Sequence, residues 1–201
     1  MHPLRLLPVV PLVLLPACTS APAPTRSGFL ASYDALETRS SSHSEFTSPD
    51  LADYSAVLID PVEVRFETDA LPPDQAALAA EHFHAAAVRV VTEAGIPLAA
   101  EPGPRIARLR LALTDIAAST WWAKIHPGAR FAGAGTGGAA MEGEITDSVT
   151  GAQLAATVRA DSGNQFNLTA FSTLDDVKGA IDRWAADAAA QLREARETTT
   201  P

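Results

Sequence analysis

Ala107-Arg108-Leu109-Arg110-Leu111-Ala112-Leu113-Thr114 is the stretch whose reading decides the fold. Successive side chains of an extended chain point to opposite faces. Ala107, Leu109, Leu111 and Leu113 therefore share one face, and Arg108, Arg110, Ala112 and Thr114 the other. Period-two alternation over this length marks a strand in a sheet with one covered and one wetter face.

Working upstream, Glu101-Pro102-Gly103-Pro104 is a turn. Before it, Ala79, Phe83, Ala86, Val90 and Ala94 recur at helical spacing. That helix opens at Leu71-Pro72-Pro73-Asp74 and stops at Gly95 and Pro97. Ala56 to Ile59 reads as a buried strand. Asp60-Pro61 interrupts it, and Val62, Val64 and Phe66 then alternate with Glu63, Arg65 and Glu67.

Downstream, residues 117–138 form a long irregular stretch. Met141 to Thr146 and Gln153 to Ala160 follow as a hairpin around Asp147-Ser148-Val149-Thr150-Gly151. Thr173 with Asp176 opens a second helix. Its apolar stripe is Val177, Ile181, Trp184, Ala188, Leu192 and Ala195, with Lys178–Asp182 and Arg183–Asp187 spaced to pair along its outside. The expected fold class is α+β: a small antiparallel or mixed sheet in β-α-β-β-β-α order, with both helices packed on one face.

The first residues have a different character. Arg5 precedes an apolar run from Leu6 to Leu15, and the run ends in Leu15-Pro16-Ala17-Cys18. It is well short of the ~20 residues that span a bilayer, and it is broken by prolines. A basic start, a short apolar core and a small residue before the cut are the parts of an export signal. Cys18 is the single cysteine, so it has no disulfide partner within the chain. The pattern is that of a bacterial lipobox: cleavage falls between Ala17 and Cys18, and Cys18 carries the lipid. A diacylglyceryl thioether with an amide-linked chain such as palmitate supplies enough acyl carbon for lasting attachment. Thr19 in place of Asp implies delivery to the outer membrane of a Gram-negative cell, on its periplasmic face.

The chain thus divides into a signal peptide (1–17), a lipidated Ser/Thr/Pro-rich tether (18–50) and a domain (51–197). Inside the tether, Gly28-Phe29-Leu30 with Tyr33 and Leu36 forms a short apolar cluster, expected to dock onto the domain itself. The formal net charge of −9 argues against nucleic acid, where affinity rests on Lys and Arg meeting phosphates. Membrane contact is expected to rest on the lipid. Alanine is about a fifth of the chain, so the 47% apolar content overstates the core.

Taken together, these motifs resemble the DUF3313 family of bacterial lipoproteins, a family without a known function. The residues that carry the resemblance are Ser27-Gly28-Phe29-Leu30 with Tyr33, and Tyr54 with Ile59-Asp60-Pro61-Val62. They continue through Leu109 to Asp115, Met141-Glu142-Gly143-Glu144, Asp147 with Thr150-Gly151, Asp175-Asp176-Val177-Lys178 and Trp184-Ala185. The element order is also similar to that of a wider group of envelope lipoproteins and to the N-terminal domain of TolB. That likeness is topological, and topology does not transmit function.

Candidate sites are few. His82 and His84 lie two apart on a helix and point about 200° from each other, so one ion cannot use both. No metal and no cofactor is expected. Gly133-Ala134-Gly135-Thr136-Gly137-Gly138 lacks the lysine and following helix of a phosphate cradle. Glu142 and Glu144 share a strand face and read as an exposed, solvated carboxylate pair rather than an acid/base dyad. No nucleophile–base spacing stands out, and no enzymatic activity is expected. Trp121 and Trp122, with Ile125, His126 and Phe131, sit in the long irregular stretch. They can seal a core edge, enter a membrane interface, or contact a partner or ligand. The expected role is a non-enzymatic interaction or assembly module of the cell envelope; the alternative is a small-ligand binder or enzyme with a pocket beneath the 117–138 loop.

Overall fold

The computed structural model describes residues 26–66, 71–117, 138–162 and 172–199. Among these, seven strands and two long helices form an α+β fold, as expected, though the sheet is larger than "small" implies. The strands are β1 (Glu37–Ser40), β2 (His43–Thr47), β3 (Ala56–Ile59), β4 (Glu63–Val64), β5 (Ile106–Ala117), β6 (Gly138–Asp147) and β7 (Gln153–Ser162). The helices are α1 (Pro73–Glu93) and α2 (Thr173–Thr199). The sheet runs β1-β2-β7-β6-β5-β3, with β4 also on β5. β3 and β4 lie parallel to β5, and the other pairs are antiparallel.

β5 holds the centre. It faces β6 from Ala107↔Asp147 to Ala117↔Gly138, with an irregularity between Leu113 and Asp115. On its other side β3 and β4 follow each other along the same strand, separated at Asp60-Pro61. Pro61 has no N–H to give the ladder. The Asp60 carboxylate uses the break to accept from Arg108 Nε at 2.9 and 3.1 Å.

One face of the sheet is covered by the helices. Leu111, Leu113, Ile116, Ala139 and Met141 pack there against Phe83, Val90, Val177, Ile181 and Trp184. The α1 stripe buries Ala76, Ala79, Phe83, Ala86 and Val90, the 3–4 spacing of one helical face. α1 ends in a Schellman arrangement: Gly95 has φ 67°, its N–H donates to Thr92 O, and Ile96 N–H donates to Val91 O. α2 is capped one residue earlier than expected: Ser172 Oγ accepts Asp175 N–H at 3.2 Å. The acidic members of the expected outer pairs reach across elements, Asp182 to His82 of α1 and Asp187 to Arg159 of β7.

The largest correction concerns the tether. Residues 38–50 are not a Ser/Thr/Pro spacer throughout, because β1 and β2 pair with each other there and β2 extends the sheet from β7. A 3-10 turn, Pro49–Asp53, then leads into β3. The folded unit therefore includes residues well before 51. Polar strands at a sheet edge carry no apolar alternation, so periodicity does not reveal them. No helix among the described residues is long and apolar enough to cross a membrane.

Candidate functional site

The second face of the sheet is covered by a strap, residues 27–36. Phe29 and Leu30 are buried on Ala112, Ala156 and Val158, with Tyr33 and Leu36 packed alongside. The expected docking of this cluster onto its own domain is what the structure contains. The residues beneath it are small, which lets a backbone lie close to the sheet.

Two carboxylates hold the strap. Glu142 and Glu144 leave the same face of β6 and are 0% and 1% exposed. The expectation of an exposed, solvated pair is overturned. Glu142 accepts the backbone N–H of Ser27 at 2.6 Å through one oxygen and the Tyr33 hydroxyl through the other. That hydroxyl accepts Gly28 N–H at 2.9 Å, and Gly28 takes a φ of 77°, a conformation open to glycine. Glu144 accepts Ala31 N–H at 2.9 Å, Arg110 Nη1 at 2.6 Å and Gln153 Nε2 at 3.2 Å. Gln153 also donates to Ser32 O. Burial of a carboxylate is tolerated when its oxygens are hydrogen-bonded, and here both oxygens of each are bonded, mainly by the strap itself.

Charge is balanced locally. Arg110 bridges Glu144 and Glu63, and its guanidinium lies 4.7 Å from the centre of the Phe29 ring. Arg65 approaches the same ring at 5.5 Å, and Arg26 the Tyr33 ring at 5.2 Å. Burial, followed by the hydrogen bond to Glu142, raises the Tyr33 pKa, so the hydroxyl stays a donor. A general acid or base must be reachable by its substrate. Glu142 and Glu144 are enclosed and committed, so the pair is a clamp rather than a dyad.

At the end of β6 a second polar contact joins distant segments. Asp147 accepts Tyr54 O–H at 2.6 Å and the N–H groups of Val149 and Thr150 at 2.9 and 2.6 Å. These bonds, Tyr54 first, hold the Asp147 carboxyl down at about 2. The same bond pushes the Tyr54 phenol up to about 12.

On the helix side, beyond α2, lies an open polar cleft of about 360 Å³ lined by Ser42, His43, Arg159, Asp161, Asp187 and Gln191, among others. Arg159 is paired with Asp187 at 2.6 Å and Asp161 at 3.7 Å. Burial lowers the His43 pKa, with Glu45 opposing, which leaves the ring neutral. Such a lining can meet hydroxyl or amide groups, and its charges already neutralise one another.

His82 Nε2 faces Asp182 at 2.9 Å and His84 Nδ1 faces Asp60 O at 3.2 Å, two different elements. Among the described residues no group of three or more His, Cys, Asp or Glu is placed to hold a metal. Ala17, Cys18, Trp121, Trp122, Ile125, His126, Phe131 and residues 133–137 of the glycine run lie outside the described residues, while Gly138, the last of the run, opens β6. Sequence reasoning missed the joining of Tyr33 to Glu142 and of Ala31 to Glu144. Its two signals, an apolar cluster in a polar tail and paired carboxylates on a strand, were visible only separately.

The chain matches the model of DUF3313, a protein family of unknown function, over residues 25–188. No curated protein matches it. Among solved structures it is similar to a PelC dodecamer from Paraburkholderia phytofirmans, at 15% identity and a TM-score of 0.46, covering 70% of this chain and 92% of that one. It is also similar to protein XCC0632 from Xanthomonas campestris, of family model DUF330, at 11% identity and 0.43, covering 78% and 96%. A DUF4136 family protein, BT2437 from Bacteroides thetaiotaomicron, follows at 9% identity and 0.36, covering 75% and 96%.

Proposed function

Since the chain belongs to the DUF3313 family, whose function is unknown, its role rests on its own residues, and we propose a lipid-anchored, non-enzymatic interaction module of the cell envelope. In this reading Cys18 carries the lipid, the protein sits on the periplasmic face of the outer membrane, and its domain engages an envelope partner. The observation that carries the reading is Leu15-Pro16-Ala17-Cys18, which stands nine residues before Ser27, where the clamp takes hold. An anchor so close to a clamped segment makes sense if the domain works at the surface that holds the lipid.

Metabolic labelling with a palmitate analogue tests the anchor. The protein should take up label and fractionate with outer membranes, while Cys18→Ala loses the label and becomes soluble in the periplasm. Crosslinking in the native envelope tests the partner. Recovery of the anchored protein as a lone monomer would sink the interaction role and leave the anchor standing.

The cleft beside His43 favours a second reading, a binder of small polar ligands, since its volume lies in the range of ligand sites. Shifts of the His43 resonances with a polar metabolite, lost in Gln191→Ala, would support it. Silence across a metabolite panel would remove it.

A further inference from the structure

We infer that the strap-covered face of the sheet is the side of the domain that lies against the lipid surface, and that the helices face away. This inference rests on the lipid-anchor reading of Cys18. The length of chain between the anchor and the clamp restricts which face can meet the lipid.

Ser27 is fixed by its own N–H to a fully buried carboxylate in the middle of β6. Nine residue steps back to Cys18 reach at most about 32 Å when fully extended. As a coil they average about 17 Å. To place the helix face against the membrane, this lead would have to pass around the sheet. β6 lies two strands in from the β3 edge, about 10 Å at ordinary strand spacing. The path must then descend past the sheet, about 10 Å thick with its side chains, and past a helix layer of about 10–12 Å. That route, about 30 Å, takes up the whole reach of the fully extended chain and nearly twice its coil average. The strap face needs no such detour.

Charge leaves the orientation to the tether. Arg26 and Arg65 are exposed beside Tyr33 and Phe29, but Arg65 is paired with Glu63 and Asp34 is exposed on the strap. Asp182 and Asp187 of the helix side are paired with His82 and Arg159. The outward side therefore holds α1, α2 and the cleft beside His43, the surfaces open to a partner.

The test uses the full lipidated chain in vesicles of phosphatidylethanolamine and phosphatidylglycerol carrying a headgroup-labelled quencher. Cys18 is the single cysteine and its sulfur is consumed by the lipid, so an introduced cysteine takes a fluorophore selectively. Ala35→Cys places the probe on the exposed outer side of the strap, and Ala85→Cys places it on the exposed side of α1. Quenching at 35 should exceed that at 85 by roughly twofold or more, as the short reach demands. A Gly/Ser insertion doubling the lead between Cys18 and Ser27 should reduce the difference while flotation persists. Flotation with equal quenching, or stronger quenching at 85, overturns the orientation and leaves the anchor intact. Failure of the lipidated chain to float overturns the anchor and the orientation together. Shielding at 35 that grows with protein concentration without lipid assigns this face to a second copy and overturns the proposal.

Discussion

The two faces of the sheet are covered by different physics. The helix face is closed by area: Leu113, Val177 and Ile181 are 0% exposed among other apolar side chains. Hydrophobic burial is non-directional, so it rewards many packings of similar volume. The strap face is closed by direction. Two enclosed carboxylates select particular N–H groups of a distant segment, and the apolar residues under them are mostly small. The first face stabilises the fold, and the second sets where residue 27 is held. Under the proposed lipid anchor at Cys18, nine residues upstream, that point is where the tether meets the domain.

The sharpest way to separate the faces is to damage each in turn. Ile181→Ala should cost about 2–5 kcal/mol, because a filled core position is left as a cavity. Denaturant unfolding should show the loss as one cooperative transition of the whole domain. Glu144→Ala should cost less, about 2–3 kcal/mol, as it takes one of Arg110's two carboxylate partners and strands Ala31 N–H. Arg110 is a third exposed on its side chain, so water relieves part of that loss. Its signature is local: amide exchange at Ala31 should accelerate far more than in α2. Equal acceleration in both would show that the faces are one cooperative unit and would break the distinction.

Tyr33→Phe removes one of Glu142's two hydrogen bonds and the acceptor of Gly28 N–H, for about 1 kcal/mol. Exchange at Gly28 should quicken first, followed by Ser27. The smallest effect concerns Tyr54 and Asp147. Asp147 has its folded pKa depressed from 3.8 to about 2, so its stabilisation is present above about pH 4 and is lost as pH falls toward 2. Tyr54 is raised from 10.0 to about 12, so its share is present below pH 10 and is lost as pH rises toward 12. In Tyr54→Phe, melting curves across both windows should be flatter than in the parent protein. An unchanged pH profile would remove this contact from the account.

Much of the helix face was legible. The alternation of Ala107 to Leu113 and the stripes of α1 and α2 identify their own covered sides, because side-chain period follows directly from backbone geometry. The end of α1 was legible too, through Gly95. β1 and β2 were not, since Glu37–Ser40 and His43–Thr47 are polar and join the sheet through backbone hydrogen bonds that any residue can make. Glu142 and Glu144 show the limit most clearly. Their spacing told that they share a face, and their charge suggested water. What encloses them lies 109 to 115 residues away in the chain.

By itself the sequence determined the periodic elements, the α+β order and the expected address at Cys18, all of which are local patterns read over a few residues. Only the tertiary structure decided that a polar-flanked tail belongs to the domain and that two carboxylates are clamps. Which segment covers the second face of a strand is a matter of long-range complementarity, and no period in the strand records it.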